Sequence, residues 1–202
     1  MKIGILGGTF NPIHNGHLEL AKYCQTVLSL DKVIFIPTYT PPHKASTELA
    51  DCLHRLNMCT LALKGIDSFE VSDIEIKRKG KSYSYQTLTS LKEIYPNDTL
   101  YFIMGADMFL TLANWKNPKI IFQKSIIVTI PRSESNKYDL QKYYDKVLKS
   151  LGAKAEILDE SVTQVSSTFI RENISQGTCS KIINLIDKNV FEYIKKYNIY
   201  RK

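Results

Sequence analysis

Apolar residues along the chain fall into two kinds of stretch, short continuous runs and longer segments with helical spacing. One run covers residues 2–6 and ends in Gly7-Gly8, and another covers residues 33–36 and stops at Pro37. Between them, from Gly16 to Leu28, apolar residues recur every three or four positions, as in an amphipathic helix. A strand, a helix and a strand in this order predict a βαβ unit with parallel, buried strands.

The alternation continues to the C-terminus. We predict further strands at residues 69–76, 100–104, 125–130 and 155–158, and further helices at residues 53–63, 85–94, 118–123, 139–151, 167–174 and 191–197, with a short helix after Asp107. This order predicts an α/β fold, a Rossmann-like doubly wound parallel sheet. Since no repeat or linker divides the sequence, we expect a single domain over residues 1–202, with residues 165–202 forming a helical C-terminal part.

Composition and charge narrow the possible partners. The chain has 202 residues, of which 44% are hydrophobic and 23% charged, and these are ordinary values for a globular protein. The formal charge is +7, but the basic residues are scattered and their densest cluster is residues 77–81. A diffuse positive field suits anionic metabolites as well as nucleic acid, and without a basic stripe we expect no nucleic-acid partner.

The four cysteines and the absence of long apolar runs indicate where in the cell the protein is located. Cys24, Cys52, Cys59 and Cys179 form no C-x-x-C pair and no zinc-site spacing. No signal peptide is recognisable and no run approaches 18 apolar residues. We therefore expect a cytoplasmic protein without a membrane partner.

Unusual residues follow four of the predicted strands. They lie at Gly7 to His17, Pro37 to Lys44, Gly105 to Asp107, and Pro131-Arg132. Ligands of open α/β sheets bind beyond the carboxyl ends of the strands, near the switch in strand order. The sequence therefore predicts that these four stretches contribute to one site.

The first stretch reads G-G-T-F-N-P-I-H-N-G-H-L. It has neither the G-x-G-x-x-G of dinucleotide-binding dehydrogenases nor the G-K-[ST] of a P-loop. Its two histidines, His14 and His17, lie three apart at the start of a predicted helix and can face one side. Free N–H groups there, together with two imidazoles, would suit a phosphate. As an alternative, both histidines are structural residues of a turn.

This H-x-G-H motif resembles that of the H-x-G-H nucleotidyltransferase superfamily, whose members attach a nucleotide to an acceptor and release pyrophosphate. A second stretch, V-S-S-T-F-I-R at residues 165–171, resembles the superfamily's I-S-S-T-x-I-R signature. Its three hydroxyls can cap a helix, and Arg171 falls one turn further on.

Three further motifs resemble those of bacterial nicotinate mononucleotide adenylyltransferases. They are I-P-T-Y-T-P-P-H-K at residues 36–44, S-Y-S-Y-Q-T-L at residues 82–88, and F-I-M-G-A-D at residues 102–107, followed by the only tryptophan, Trp115. The resemblance runs in order from residue 1 to about 175. The sequence departs from the family at Asn11, where an aspartate is common, at Ser84, where threonine is usual, and after Arg132, where Pro-Gly is usual.

The resemblance implies roles for the matching residues. His14, His17, Lys44 and Arg171 would be the catalytic residues. The ATP-binding set would comprise Gly7, Gly8, Thr9, Phe10, His14, Gly16, His17, Gly105, Asp107, Ser166, Ser167, Thr168, Phe169 and Arg171. The set for nicotinate mononucleotide would comprise Thr38, His43, Lys44, Ser84, Met108, Trp115 and Arg132.

The implied reaction is adenylyl transfer from ATP to nicotinate mononucleotide, with direct attack of the acceptor phosphate on the α-phosphate. Mg²⁺ is expected as cofactor, held mainly by the ATP phosphates. Three alternatives stay open: nicotinamide mononucleotide or phosphopantetheine as the acceptor, or a basic RNA-binding module without catalysis. The sequence leaves open whether the protein is a monomer or a homo-oligomer, and the role of residues 133–144.

Overall fold

The structure is a computed structural model and describes residues 1–42, 49–159 and 165–201. Its strands are β1 (Lys2–Gly8), β2 (Lys32–Pro37), β3 (Phe69–Val71), β4 (Thr99–Gly105), β5 (Ile126–Ile130) and β6 (Ala155–Ile157). Its α-helices are α1 (Asn15–Leu28), α2 (Cys52–Leu63), α3 (Ile74–Arg78), α4 (Ser84–Ile94), α5 (Ala106–Phe109), α6 (Pro118–Lys124), α7 (Glu134–Tyr143), α8 (Ser167–Ser175) and α9 (Lys188–Lys196).

The six strands form one sheet in the order β3-β2-β1-β4-β5-β6. The β1–β4, β4–β5 and β5–β6 ladders are parallel, and the register pairs Leu6 with Ile103 and Gly105 with Ile130. This strand order is that of the doubly wound nucleotide-binding folds. The predicted fold class is confirmed.

Two predicted elements differ from the structure. Residues 69–76 were predicted as one strand, but β3 ends at Val71 and α3 begins at Ile74. The predicted helix 139–151 begins five residues earlier, at Glu134, because the Ser133 side chain caps it by accepting the Asn136 N–H at 3.2 Å. The end of this segment is not α-helical: Tyr144–Leu148 is a π-helix and Lys149–Leu151 a 3₁₀-helix.

The chain forms two compact units. The first unit comprises Met1–Gly7, Ala21–Ile34 and Tyr83–Val162, and the second unit comprises Gly8–Leu20, Phe35–Ser82 and Thr163–Lys202. The prediction of a single domain over residues 1–202 stays a prediction.

The core of the first unit lies along its parallel strands. Ile3, Ile103, Ile127 and Val128 are at most 1% exposed, as expected for strands covered on both faces. Gly4 leaves room in β1 for packed side chains, since a Cβ there would lie 2.9 Å from Leu30 Cδ1 and one of them would have to shift.

The core of the second unit is aromatic. The Phe35 ring lies 5.9 Å from that of Phe10 and 5.4 Å from that of Phe69, between ring centroids. The α2 helix adds Met58 and Cys59, both fully buried. Within the described residues, no helix has both the length and the apolar character needed to span a bilayer.

Candidate active site

The loop after β1 is shaped by a phenylalanine with unusual backbone geometry. Phe10 has a φ of 47°, and its side chain is 2% exposed. A Cβ at Gly8 would lie 3.0 Å from Phe10 Cζ, so a larger residue there would press on the ring. The Phe10 ring then meets the His17 ring edge-on, with 5.0 Å between centroids. The glycine and the phenylalanine of this motif thus position a histidine.

His14 and His17 form a stacked pair. Their ring centroids lie 3.7 Å apart with an interplanar angle of 23°. The His14 backbone N–H donates to His17 Nδ1 at 3.2 Å, so the Nδ1 lone pair of His17 is used within the protein. A neutral His17 therefore carries its proton on Nε2, which makes that nitrogen a hydrogen-bond donor.

Both imidazoles are held neutral. Burial lowers the pKa of His14 to about 4, against a small opposing contribution from a backbone hydrogen bond. Burial also lowers the pKa of His17 well below its usual value, and the neighbouring His14 lowers it further. Two stacked cations would repel each other. Without an anion present, the pair offers N–H dipoles rather than positive charges.

The buried Nδ1 of His14 has no hydrogen-bond partner among the described residues. Buried polar atoms are rarely left in this state, and a ligand is one way to satisfy them. The backbone amides contribute less than the sequence suggested, because Asn15 N–H donates to Leu185 O and His17 N–H donates to His14 O, both at 2.9 Å. The expectation of free amides at the start of α1 is wrong for these two.

Helix α8 is bonded to the same loop. Ser166 caps the helix, accepting the Phe169 N–H at 3.4 Å, while Ser167 Oγ donates to Pro12 O at 3.0 Å. The Arg171 guanidinium donates to Asn11 O at 3.0 Å and to Thr168 Oγ1 at 3.3 Å. Two motifs about 150 residues apart in the sequence therefore meet, as predicted. Phe169 is 43% exposed, which leaves its ring open to a ligand.

The segment after β2 lies beside this loop. Thr38 N–H donates to Gly8 O at 3.0 Å, and Tyr39 N–H donates to Ser82 Oγ at 2.9 Å. The predicted residues His43 and Lys44 lie outside the described residues.

Sequence reasoning missed two residues of this cluster. Arg55, on the buried face of α2, is 0% exposed and reaches Thr9 O at 2.7 Å. Tyr200 donates its hydroxyl to Asn11 Oδ1 at 2.7 Å. Arg55 precedes the buried Met58 and Cys59 by three and four positions. The signal in the sequence that could have identified Arg55 was a basic residue at a position that helical spacing places in the core.

In the first unit, Asp107 and Arg132 form an ion pair. Their meeting follows from the register, since each lies two residues beyond the paired ends of β4 and β5, Gly105 and Ile130. Both side chains are at least half exposed, at 60% and 50%. A pair this exposed is worth at most about 1 kcal/mol, so a ligand can open it at little cost.

Trp115 lies in the first unit, and the residue after it contacts the residue before Ser84. The Trp115 ring packs edge-on against Phe102 with 6.4 Å between centroids, and its Nε1–H donates to Thr111 Oγ1 at 3.3 Å. Lys116 Nζ lies 4.5 Å from the ring centroid of Tyr83, the residue that precedes α4 and its first residue, Ser84. Trp115 is only partly buried, so it is not a core residue. Met108 is also exposed here, at 47%.

A metal would find no protein cage in the described part of the chain. No three His, Cys, Asp or Glu side chains there lie close enough to bind an ion together.

The stacked histidines after β1 and the α8 cap bonded to their loop form the candidate active site of this doubly wound sheet. The sequence model of the cytidylyltransferase-like family matches residues 5–173, which is most of the chain. Curated relatives match this chain over nearly its whole length. A protein of Clostridium tetani, named "Probable nicotinate-nucleotide adenylyltransferase", is 40% identical over 200 residues, covering 99% of each chain.

A relative of the same name from Dehalococcoides mccartyi is also 40% identical, over 203 residues, covering 100% of this chain and 98% of its own. The chain belongs to the nicotinate-nucleotide adenylyltransferases of the cytidylyltransferase-like family.

Solved structures resemble the fold. The nicotinic acid mononucleotide adenylyltransferase of Plasmodium falciparum, complexed with NaAD, matches with a TM-score of 0.79 over 98% of this chain and 97% of its own. The same enzyme complexed with APC gives a TM-score of 0.77, covering 98% of this chain and 96% of its own. At 20% sequence identity in both comparisons, these likenesses show the fold alone.

Proposed function

We propose that the protein transfers the adenylyl group of ATP to nicotinate mononucleotide, forming deamido-NAD and pyrophosphate in NAD biosynthesis. The single observation that carries the proposal is the stacked, neutral His14–His17 pair in the loop after β1, in which His17 has an Nε2–H donor. Family membership supports the choice of reaction, since the relatives at 40% identity bear the name of this activity.

The chemistry follows from the groups present. A phosphate monoester has a second pKa near 6, so the acceptor phosphate is mostly a dianion at neutral pH and needs no general base. One of its oxygens forms a bond to the α-phosphorus of ATP, and the bond from that phosphorus to the β-bridging oxygen breaks. Pyrophosphate leaves with the electron pair. Catalysis then depends on positioning and on stabilising the charge of the transferring group.

The residues of the second unit hold the triphosphate in this proposal. His17 Nε2–H donates to an α-phosphate oxygen, while His14 and Thr9 contact the phosphates beside it. Ser166 to Thr168 and Phe169 bind the nucleotide at the start of α8, together with Gly8, Phe10 and Gly16 and with Gly7 of the first unit. Arg171 and Lys44 add positive charge on the triphosphate.

The residues of the first unit recognise the sugar and the acceptor ring. Asp107, next to Gly105, accepts from a ribose hydroxyl once its pair with Arg132 opens. Trp115 stacks the pyridine ring, and Ser84 donates to the acceptor's carboxylate or phosphate. Met108 and the released Arg132 complete the first unit's part of the acceptor set, and Thr38 and His43 of the second unit add to it.

Mg²⁺ belongs to the proposal as an ion that arrives with the triphosphate and neutralises charge on the phosphate oxygens.

The protein's four cysteines are free thiols, which supports a cytoplasmic location. The acceptors left open are nicotinamide mononucleotide and phosphopantetheine.

The test measures pyrophosphate release from ATP and Mg²⁺ with each acceptor in turn. We expect turnover with nicotinate mononucleotide and at least tenfold lower kcat/KM with the other two. Equal or better turnover with another acceptor would reassign the substrate. Salt-dependent RNA binding without pyrophosphate release would favour the RNA-binding alternative.

A further inference from the structure

Arg55 is a fully buried cation in the second unit, and its hydrogen bonds run to backbone and hydroxyl oxygens. Its Nε donates to Ala50 O at 3.0 Å and one terminal nitrogen, Nη2, donates to Tyr39 O at 2.9 Å. The other terminal nitrogen, Nη1, donates to Thr9 O at 2.7 Å and to Thr38 Oγ1 at 3.3 Å. One planar guanidinium thus joins three separate stretches of chain.

Such an arrangement is a poor way to gain stability. No carboxylate among the described residues forms an ion pair with Arg55, and burial lowers the pKa of its guanidinium. Asp51 is among the groups that oppose this effect, but burial outweighs them. Replacing a buried charge by apolar residues of similar volume is often neutral or stabilising. A buried arginine without an ion pair is therefore better explained by the geometry that it imposes on its acceptors.

Three of the four acceptors lie in the two loops to which the proposed function assigns substrates. Thr9 belongs to the loop of the histidine pair, and Thr38 and Tyr39 belong to the acceptor segment that follows β2. A peptide's carbonyl and the N–H that follows it point in opposite directions. By holding Thr9 O and Tyr39 O, Arg55 directs the N–H groups of Phe10 and Thr40 away from itself.

The Arg55 contacts continue into the histidine loop by a second route. Ala50, which accepts from Arg55 Nε, donates its own N–H to Asn11 Oδ1 at 3.0 Å. The carbonyl of the same Asn11 accepts from Arg171. A change in the guanidinium position would therefore reach both sides of the loop that carries His14 and His17.

We propose that Arg55 is a positioning residue that holds the Thr9 loop and the Thr38–Tyr39 segment at a fixed separation, so that ATP and the acceptor are bound in register. The inference rests on the proposed function. It predicts that the fork of donors matters, and not only the positive charge, because lysine is a point charge that cannot reach three stretches at once.

The experiment compares Arg55→Lys with Met58→Ala, using steady-state kinetics normalised to the folded fraction from urea unfolding. Met58 is equally buried on α2 and forms no hydrogen bond to either loop. Its truncation therefore lowers the stability of the protein without removing a contact that positions the loops. For Arg55→Lys we expect at least a threefold rise in KM for ATP and for nicotinate mononucleotide, and at least a tenfold fall in kcat. Met58→Ala should keep all three constants within twofold.

Each other outcome is decisive. Wild-type kinetics in Arg55→Lys would overturn the positioning role, and so would equal losses in both variants, since those would reflect stability alone. If Arg55→Lys does not fold, Arg55→Gln, which keeps two N–H donors, replaces it under the same criteria. A wild-type protein that releases no pyrophosphate would instead refute the proposed function, independently of the variants.

Discussion

At the scale of single residues, the chemistry of His17 is decided by one backbone hydrogen bond. The His14 N–H occupies Nδ1 of His17, and burial keeps the ring neutral, so Nε2–H is the group left to donate. A donor aimed in advance at the charge that develops in the transition state needs no reorganisation during the reaction.

His17→Ala tests that role. We expect kcat to fall by about 10²–10³, the range for loss of one transition-state donor. The measurement is pyrophosphate release at saturating ATP and acceptor. His54→Ala is the matched control, because His54 bonds to Tyr193 on α9 and not to the histidine loop. An unchanged kcat together with reduced stability would show His17 to be a structural residue.

Trp115 is the residue proposed to recognise the acceptor ring. Trp115→Ala should raise the KM for nicotinate mononucleotide by roughly tenfold to a hundredfold, since stacking on an aromatic ring is worth about 1–3 kcal/mol. The KM for ATP should change less than twofold. Trp115→Phe keeps an aromatic face and should recover most of the affinity. If the acceptor KM stays unchanged in Trp115→Ala, the stacking role is wrong.

At the scale of elements, the start of α1 is a compact electrostatic unit. Its two stacked imidazoles have pKa values below those of an unfolded chain, so the unfolded state binds more protons once the pH falls below about 6.5. The stabilising contribution of the neutral pair is complete above that pH. It is lost as the pH falls from 6.5 toward 4, the pKa of His14 in the folded state.

The direction of these pKa shifts predicts how a His14 variant changes the pH dependence of the free energy of unfolding. Each such histidine adds a slope of up to about 1.4 kcal/mol per pH unit in that range. We expect the free energy of unfolding of His14→Asn to fall less steeply between pH 7 and pH 5 than that of the wild type. Urea unfolding at the two pH values measures it. A variant with the wild-type slope would contradict the low pKa of His14.

Elements also differed in how well the sequence predicted them. The β1 and α1 boundaries agree with prediction within two residues, because glycines and helical spacing mark them locally. The stretch 69–76 was misassigned, since alternating apolar residues suit both a short strand and a single helical turn. The α7 start was missed because the predicted helix began at residue 139 and the prediction did not use Ser133 as its cap.

At the scale of the whole molecule, the described residues contain no protein cage for a metal. If Mg²⁺ comes with the triphosphate, EDTA should abolish pyrophosphate release and leave the melting temperature of the ligand-free protein within about 1 °C. Excess Mg²⁺ should restore activity. A large fall in melting temperature with EDTA would indicate a structural metal and refute this part of the proposal.

The sequence by itself determined the order of strands and helices except for α3, the histidine and serine motifs, and the family. These features are local: spacing along the chain sets which face of an element is apolar, and a motif keeps its residues adjacent. The Asp107–Arg132 pair could be expected to lie at one sheet edge, since both residues follow parallel strands.

Only the tertiary structure decided which partners those residues have. Arg55 reaches a carbonyl 46 positions away, Arg171 one 160 positions away, and Tyr200 an amide oxygen 189 positions away. No periodicity encodes such contacts, because they depend on how distant loops are brought together by packing. The neutral state of the histidines was decided in the same way, since burial is the largest cause of their low pKa values and the effect of His14 on His17 depends on the stacking of the two rings.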